Sequence, residues 1–282
     1  MSRVTRARRG VGLAELLVAL VLAAIVSAAV ATALSGAERQ LRRAVAASTD
    51  RRVLREAELV LGAELRAASA DSLRVLGDTA VEFFGLVGTS VVCVGGGLIV
   101  VLPPAVAASG APYSVWRATP EAGDMVVAFD TLGGGRWRTA TVESVDSRPD
   151  GAGCLPASGL LSAADSVARR PALWLLLDRV VPGAAAGSPL RIVRRARYVL
   201  RRGVNREWTL SYRRCDRTGV CEASQPVVGP LASAADSGLV FALEESPGRL
   251  AVTLRAPLRE PGRPRVIQRL SITLRNRATA TP

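Results

Sequence analysis

A chain of 282 residues, about half of them apolar, can bury a substantial core and is not compositionally disordered. All 37 basic residues are arginine; there is no lysine and no histidine, and against 24 acids the net charge is +13. Without histidine the commonest general base and the commonest neutral metal ligand are missing, so the composition argues against an enzyme, a metal site or a cofactor. The arginines run the length of the chain, which reads as a composition bias rather than as one anion-binding patch.

Residues 1–10 form a short polar leader, with Arg3, Arg6, Arg8 and Arg9 and no acid. From Val11 to Leu34 every residue is apolar or small except one, Glu15. As a helix this stretch spans roughly 36 Å, enough for a ~30 Å hydrocarbon core. The arginines ahead of it predict a cytoplasmic N-terminus, with everything after Leu34 exported. A secretory signal has a shorter apolar region, of about 7–15 residues, with a small-residue cleavage site after it. A plain signal anchor has the length but leaves an acid inside the membrane, at a cost of about 2.5–3.5 kcal/mol without a partner.

Gly10-Val11-Gly12-Leu13-Ala14-Glu15-Leu16-Leu17-Val18-Ala19-Leu20 resembles the prepilin processing signal of type IV pilins and type II secretion pseudopilins. In that family a basic leader ends in glycine and a glutamate is the fifth mature residue; counted from Val11, Glu15 occupies that place. The resemblance implies cleavage by prepilin peptidase between Gly10 and Val11 and N-methylation of Val11. It departs from the family in Val11, where phenylalanine is usual, and in Gly12, where serine or threonine is common. Cleavage exposes an amine about one turn from Glu15, and pairing between neighbouring subunits would offset the cost of burying either charge alone.

The helical pattern continues past the membrane stretch. Residues 37–68 lack proline, and Leu54, Ala57, Leu61, Leu65 and Ala68 form one apolar stripe, with Leu41, Ala44, Val45 and Ser48 a weaker second one. The spacing predicts one helix from Val11 to Ala68, with two separate helices as the alternative. The division expected is leader 1–10, transmembrane helix 11–34, amphipathic helix 35–70 and a periplasmic β-rich head 71–282.

After Asp71 the period shortens. Paired runs at 73–76 and 80–84, 91–94 and 98–102, 125–130 and 137–145, and 191–200 and 207–214 predict four hairpins. Further strands are expected at 173–178, 239–243, 249–255 and 266–275, and loops around 105–123, 147–171 and 180–190. One long helix followed by hairpins gives an α+β fold, the helix packed on an antiparallel sheet. Arg197–Leu200 through Leu210–Arg214, Gln225–Val228 and the closing Ile272–Leu274 resemble the large J-type minor pseudopilins and related minor pilins.

Four cysteines in an exported chain favour disulfides over zinc. Cys215 and Cys221 bracket a loop short enough for a local bridge, leaving Cys93 and Cys154, although spacing alone permits three pairings. Arg191 to Arg206 includes Arg194, Arg195 and Arg197, candidates for phosphate contacts to nucleic acid, yet alternate residues of a strand face opposite sides. Asp124, Asp130, Glu143 and Asp146 match no calcium loop. The expected function is a minor pilin or pseudopilin of a type IV pilus or type II secretion system. It would be anchored in inner-membrane lipid and placed near a filament tip among other subunits. The alternatives are a tip receptor for DNA or a surface, and a signal-anchored periplasmic protein.

Overall fold

The computed structural model describes residues 12–68, 72–104, 113–132, 134–148, 154, 171–216, 218–244, 248–259 and 264–274. The leader, Gly10 and Val11 lie outside these residues. Among the described residues one helix, α1 (Leu13–Ala67), precedes thirteen strands. The strands are β1 (Arg74–Leu76), β2 (Ala80–Val91), β3 (Ile99–Leu102), β4 (Val115–Trp116), β5 (Met125–Asp130), β6 (Arg136–Arg148) and β7 (Ala172–Leu177). They continue as β8 (Pro189–Arg202), β9 (Trp208–Arg214), β10 (Gln225–Leu231), β11 (Leu239–Leu243), β12 (Arg249–Arg255) and β13 (Ile267–Thr273). The α+β expectation holds, as does the single helix. The chain divides into two units, residues 1–52 and 53–282.

The first unit is helical from Leu13 onward. Alanine and leucine favour the helix, and no proline interrupts it. Thr32 Oγ1 donates to the Ala28 carbonyl at 2.7 Å and Ser35 Oγ to that of Thr32 at 2.9 Å, so these polar atoms are satisfied within the helix. Leu16, Leu17, Leu20, Leu22, Ile25 and Leu34 are each more than half exposed. Such a surface requires lipid or other helices around it.

In the second unit, the last part of α1 turns the predicted stripe inward. Leu54, Ala57, Leu61, Leu65 and Ala68 are buried among Val81, Phe83, Tyr198, Leu210, Leu250, Val252 and Ile272. This core draws on two sheets. One is ten-stranded; the other is the three-stranded β11–β12–β13. Tyr198 completes the contact with the helix by donating from its hydroxyl to Glu64 Oε2 at 2.9 Å, and its ring stacks on Phe83. Gln268 Nε2 donates to Glu58 Oε2 at 3.1 Å.

A second core lies further along the ten-stranded sheet. β8 pairs β2 along one edge; its other edge takes β5 at residues 190–193 and β9 at 196–202. From β5 the order continues through β6 and β7 to β3. A bridge between Val94 and Val101 joins β3 back to the chain just after β2. Six strands therefore close a circuit around Val100, Val126, Ala128, Val142, Leu175 and Ile192. The closure depends on Gly95, because a Cβ there would run into the Ala184 carbonyl.

Three of the four expected hairpins form: β1–β2, β5–β6 and β8–β9. The fourth differs. Residues 91–94 and 98–102 share only the Val94–Val101 bridge, and β3 gives its full length to β7. The triple glycine separates the two runs, while the long-range partner offers four paired positions, from Ile99–Leu176 to Leu102–Leu173. β4 and β10 are additional strands.

Candidate functional site

The first turn of α1 is a capping arrangement. The Gly12 carbonyl accepts from the Glu15 and Leu16 amides at 3.0 and 3.2 Å, while Glu15 Oε2 accepts from the Gly12 amide at 3.3 Å. The glutamate thus occupies the third helical position and reaches back to the N-cap, where the helix dipole also favours negative charge. Its carboxylate is exposed. Val11, the residue whose amine cleavage after Gly10 would free, directly precedes the amide that Glu15 holds. Beyond this turn the helix is long and apolar enough to cross a membrane.

Residues 5–31 match the family model described as the prokaryotic N-terminal methylation motif. The N-terminus carries a type IV pilin-like signal. No curated protein and no solved structure gives a significant match to the chain. The pilin-like signal spans Gly10, Val11 and Glu15 together. It implies processing by prepilin peptidase and assembly with other pilin subunits, and with the apolar helix it is consistent with a single-pass inner-membrane anchor.

In the second unit several buried or half-buried charges are held in pairs. Arg194 lies on the core-facing side of β8, in register with Leu190, Ile192, Ala196 and Tyr198. It is tied to the buried carboxylate of Asp124, with Nη2–Oδ2 at 2.7 Å, and to the Thr119 carbonyl at 2.9 Å. The hydrogen bond to Asp124 holds the Arg194 guanidinium above its ordinary pKa despite burial. Arg195 and Arg197 project from the other face and share Glu82, at 2.9 Å from Arg195 Nε and 2.7 Å from Arg197 Nη2. Burial alone would raise the Glu82 pKa; the hydrogen bonds from Arg197 and Arg195 outweigh it and the pKa falls. Glu121 accepts from Arg214, which lowers its pKa as well. The three arginines considered for nucleic acid therefore lie on two faces of one strand, and all three are engaged by carboxylates.

The cysteines form two bridges, Cys93–Cys154 and Cys215–Cys221. The shorter encloses a turn in which Asp216 Oδ1 accepts from the Thr218 and Val220 amides, both at 2.9 Å. Asp130 is buried beside Gly183, at φ +71°, where a Cβ would meet the carboxylate. Glu143 and Asp146 are exposed on β6. Among the described residues no three histidine, cysteine or acidic side chains converge in a metal-binding group. Sequence reasoning missed Glu82, Glu121 and the Tyr198–Glu64 contact. Glu82 stands out as the one charged residue in the apolar run of β2, but its partners follow only from the register that sets it opposite Arg197.

Proposed function

We propose that the protein is a minor pilin or minor pseudopilin, a structural rather than catalytic subunit of a type IV pilus or type II secretion pseudopilus. The observation that carries this reading is the Glu15 carboxylate folded back onto the Gly12 amide at the head of an exposed apolar helix. Prepilin peptidase cuts after Gly10 and methylates Val11, leaving a cationic amine within reach of this acid or of a neighbour's. In a bundle of helices the amine and carboxylate of adjacent subunits neutralise each other, and the exposed leucines pack together as they leave the lipid. The arginine-rich leader sets the orientation, placing residues 53–282 in the periplasm. A large unit at the end of such a helix suits a position near the filament tip, where nothing has to stack above it.

The test is replacement of Glu15 by alanine in the native host, followed by fractionation of sheared filaments and membranes. The variant should remain in the membrane at normal abundance and fail to enter the filament fraction. Wild-type incorporation would reduce the protein to a simple tethered subunit.

A further inference from the structure

Among the described residues, the three-stranded sheet ends in β13, which has no strand on its outer edge. β13 pairs β12 through seven consecutive positions without a bulge, from Arg249–Thr273 to Arg255–Ile267. At one end of this ladder the Ala256 amide donates to the Val266 carbonyl at 3.0 Å; at the other, the Leu274 amide donates to the Gly248 carbonyl at 2.8 Å. In an antiparallel ladder hydrogen-bonded pairs alternate with unbonded ones. The even-numbered residues of β13 therefore spend their backbone groups on β12. The amides and carbonyls of Ile267, Arg269, Ser271 and Thr273 point the other way.

All four of these residues are exposed, and none has a partner on that side among the described residues. Gln268, Leu270 and Ile272 face the helix and the core. The edge carries neither proline nor bulge, and Arg269 is its one charged side chain. β10, by contrast, carries Pro226 and Pro230 and two register shifts against β9.

We propose that the outer edge of β13 is a docking site for an extended segment of another protein chain. The segment adds as a further strand, antiparallel to β13, through the main-chain groups of Ile267, Arg269, Ser271 and Thr273. The side chains next to the edge determine its chemistry. On the solvent face Arg269 stands opposite Thr253 with Arg255 as its diagonal neighbour, Arg249 lies at the far end of β12 opposite Thr273, and no acid occupies that face of β12 or β13. On the other face the incoming strand meets Leu270, which is only partly buried, Ile272 being already covered by the core. The occupant therefore alternates acidic with apolar residues. A second copy of β13 has no acid to set opposite Arg269 in any register.

The test uses the full chain in detergent micelles and a short synthetic peptide alternating valine and glutamate, with a valine–lysine peptide as comparison. Ser271→Pro removes an amide that points away from β12, so the ladder is kept and only the edge is lost; Ser271→Ala keeps the amide. Fluorescence anisotropy should show binding of the acidic peptide to the wild type and to Ser271→Ala, no binding of the lysine peptide, and about tenfold weaker binding to Ser271→Pro. Hydrogen exchange on the wild type supplies a readout independent of the variant's folding. The amides of Ile267, Arg269, Ser271 and Thr273 should exchange freely alone and become protected with peptide. Equal binding to the proline variant, or no protection at these four amides, overturns the proposal. Sedimentation showing self-association that Ser271→Pro abolishes would overturn it in favour of a second copy.

Discussion

The two ends of α1 are written in similar residues but solve different problems. Between Leu13 and Leu34 leucine, valine and alanine surround the helix, and their side chains stay exposed. Between Leu54 and Ala68 the stripe of Leu54, Ala57, Leu61, Leu65 and Ala68 falls at spacings of three and four and is buried against the sheets. A helix apolar all round must find its solvent outside the chain; a one-sided helix finds it in its own fold. Charge follows the same division. Glu15 interrupts the first stretch at its head, where it accepts from the Gly12 amide, whereas Glu58 and Glu64 in the second are hydrogen-bonded by Gln268 and Tyr198 of the same unit.

The largest effect expected from breaking this contrast comes from an acid placed in the buried stripe. Leu65→Asp should cost about 5 kcal/mol or more and unfold the second unit, because the cavity penalty adds to that of an unpaired carboxylate. Leu22→Ala, in the exposed stretch, should leave the thermal transition of that unit unchanged. Equal loss from both would show that the anchor residues also stabilise the second unit. Next in size is Glu82→Ala, which leaves Arg195 and Arg197 facing each other without their carboxylate. A loss of about 3 kcal/mol in urea denaturation is expected. Tyr198→Phe removes one buried hydrogen bond to the helix and should cost about 1 kcal/mol.

The same ion cluster gives the smallest effect, one of pH. Because the folded pKa of Glu82 lies below its unfolded value, its contribution is fully present above the unfolded pKa and is lost as pH falls through the folded one. Asp178, hydrogen-bonded by Arg179 and by the Thr141 amide and lowered to about 2, acts in the same direction between its unfolded value and about pH 2. Acid unfolding followed by circular dichroism should be shallower in Glu82→Gln than in the wild type.

The helix and most strands were legible in the sequence because each follows from local periodicity. The stripe from Leu54 to Ala68 needed only the 3.6-residue repeat, and the hairpins needed their turn residues. Pairings over long separations were not legible. That β3 joins β7 depends on how segments some seventy residues apart meet, whereas the Val94–Val101 bridge falls between the two runs read as a hairpin. The arginines of β8 show the same limit. Their alternation between faces could be read from the strand, but their carboxylate partners lie about 70 to 115 positions away. The N-terminal signal was legible, since Gly10, Val11 and Glu15 sit within six residues and the family model matches the stretch that contains them.

The central claim concerns what becomes of those six residues, and intact-mass analysis of the protein purified from its native membrane tests it directly. The mass expected is that of a chain beginning at Val11 and carrying one additional methyl group. A chain that still begins at Met1 would contradict it.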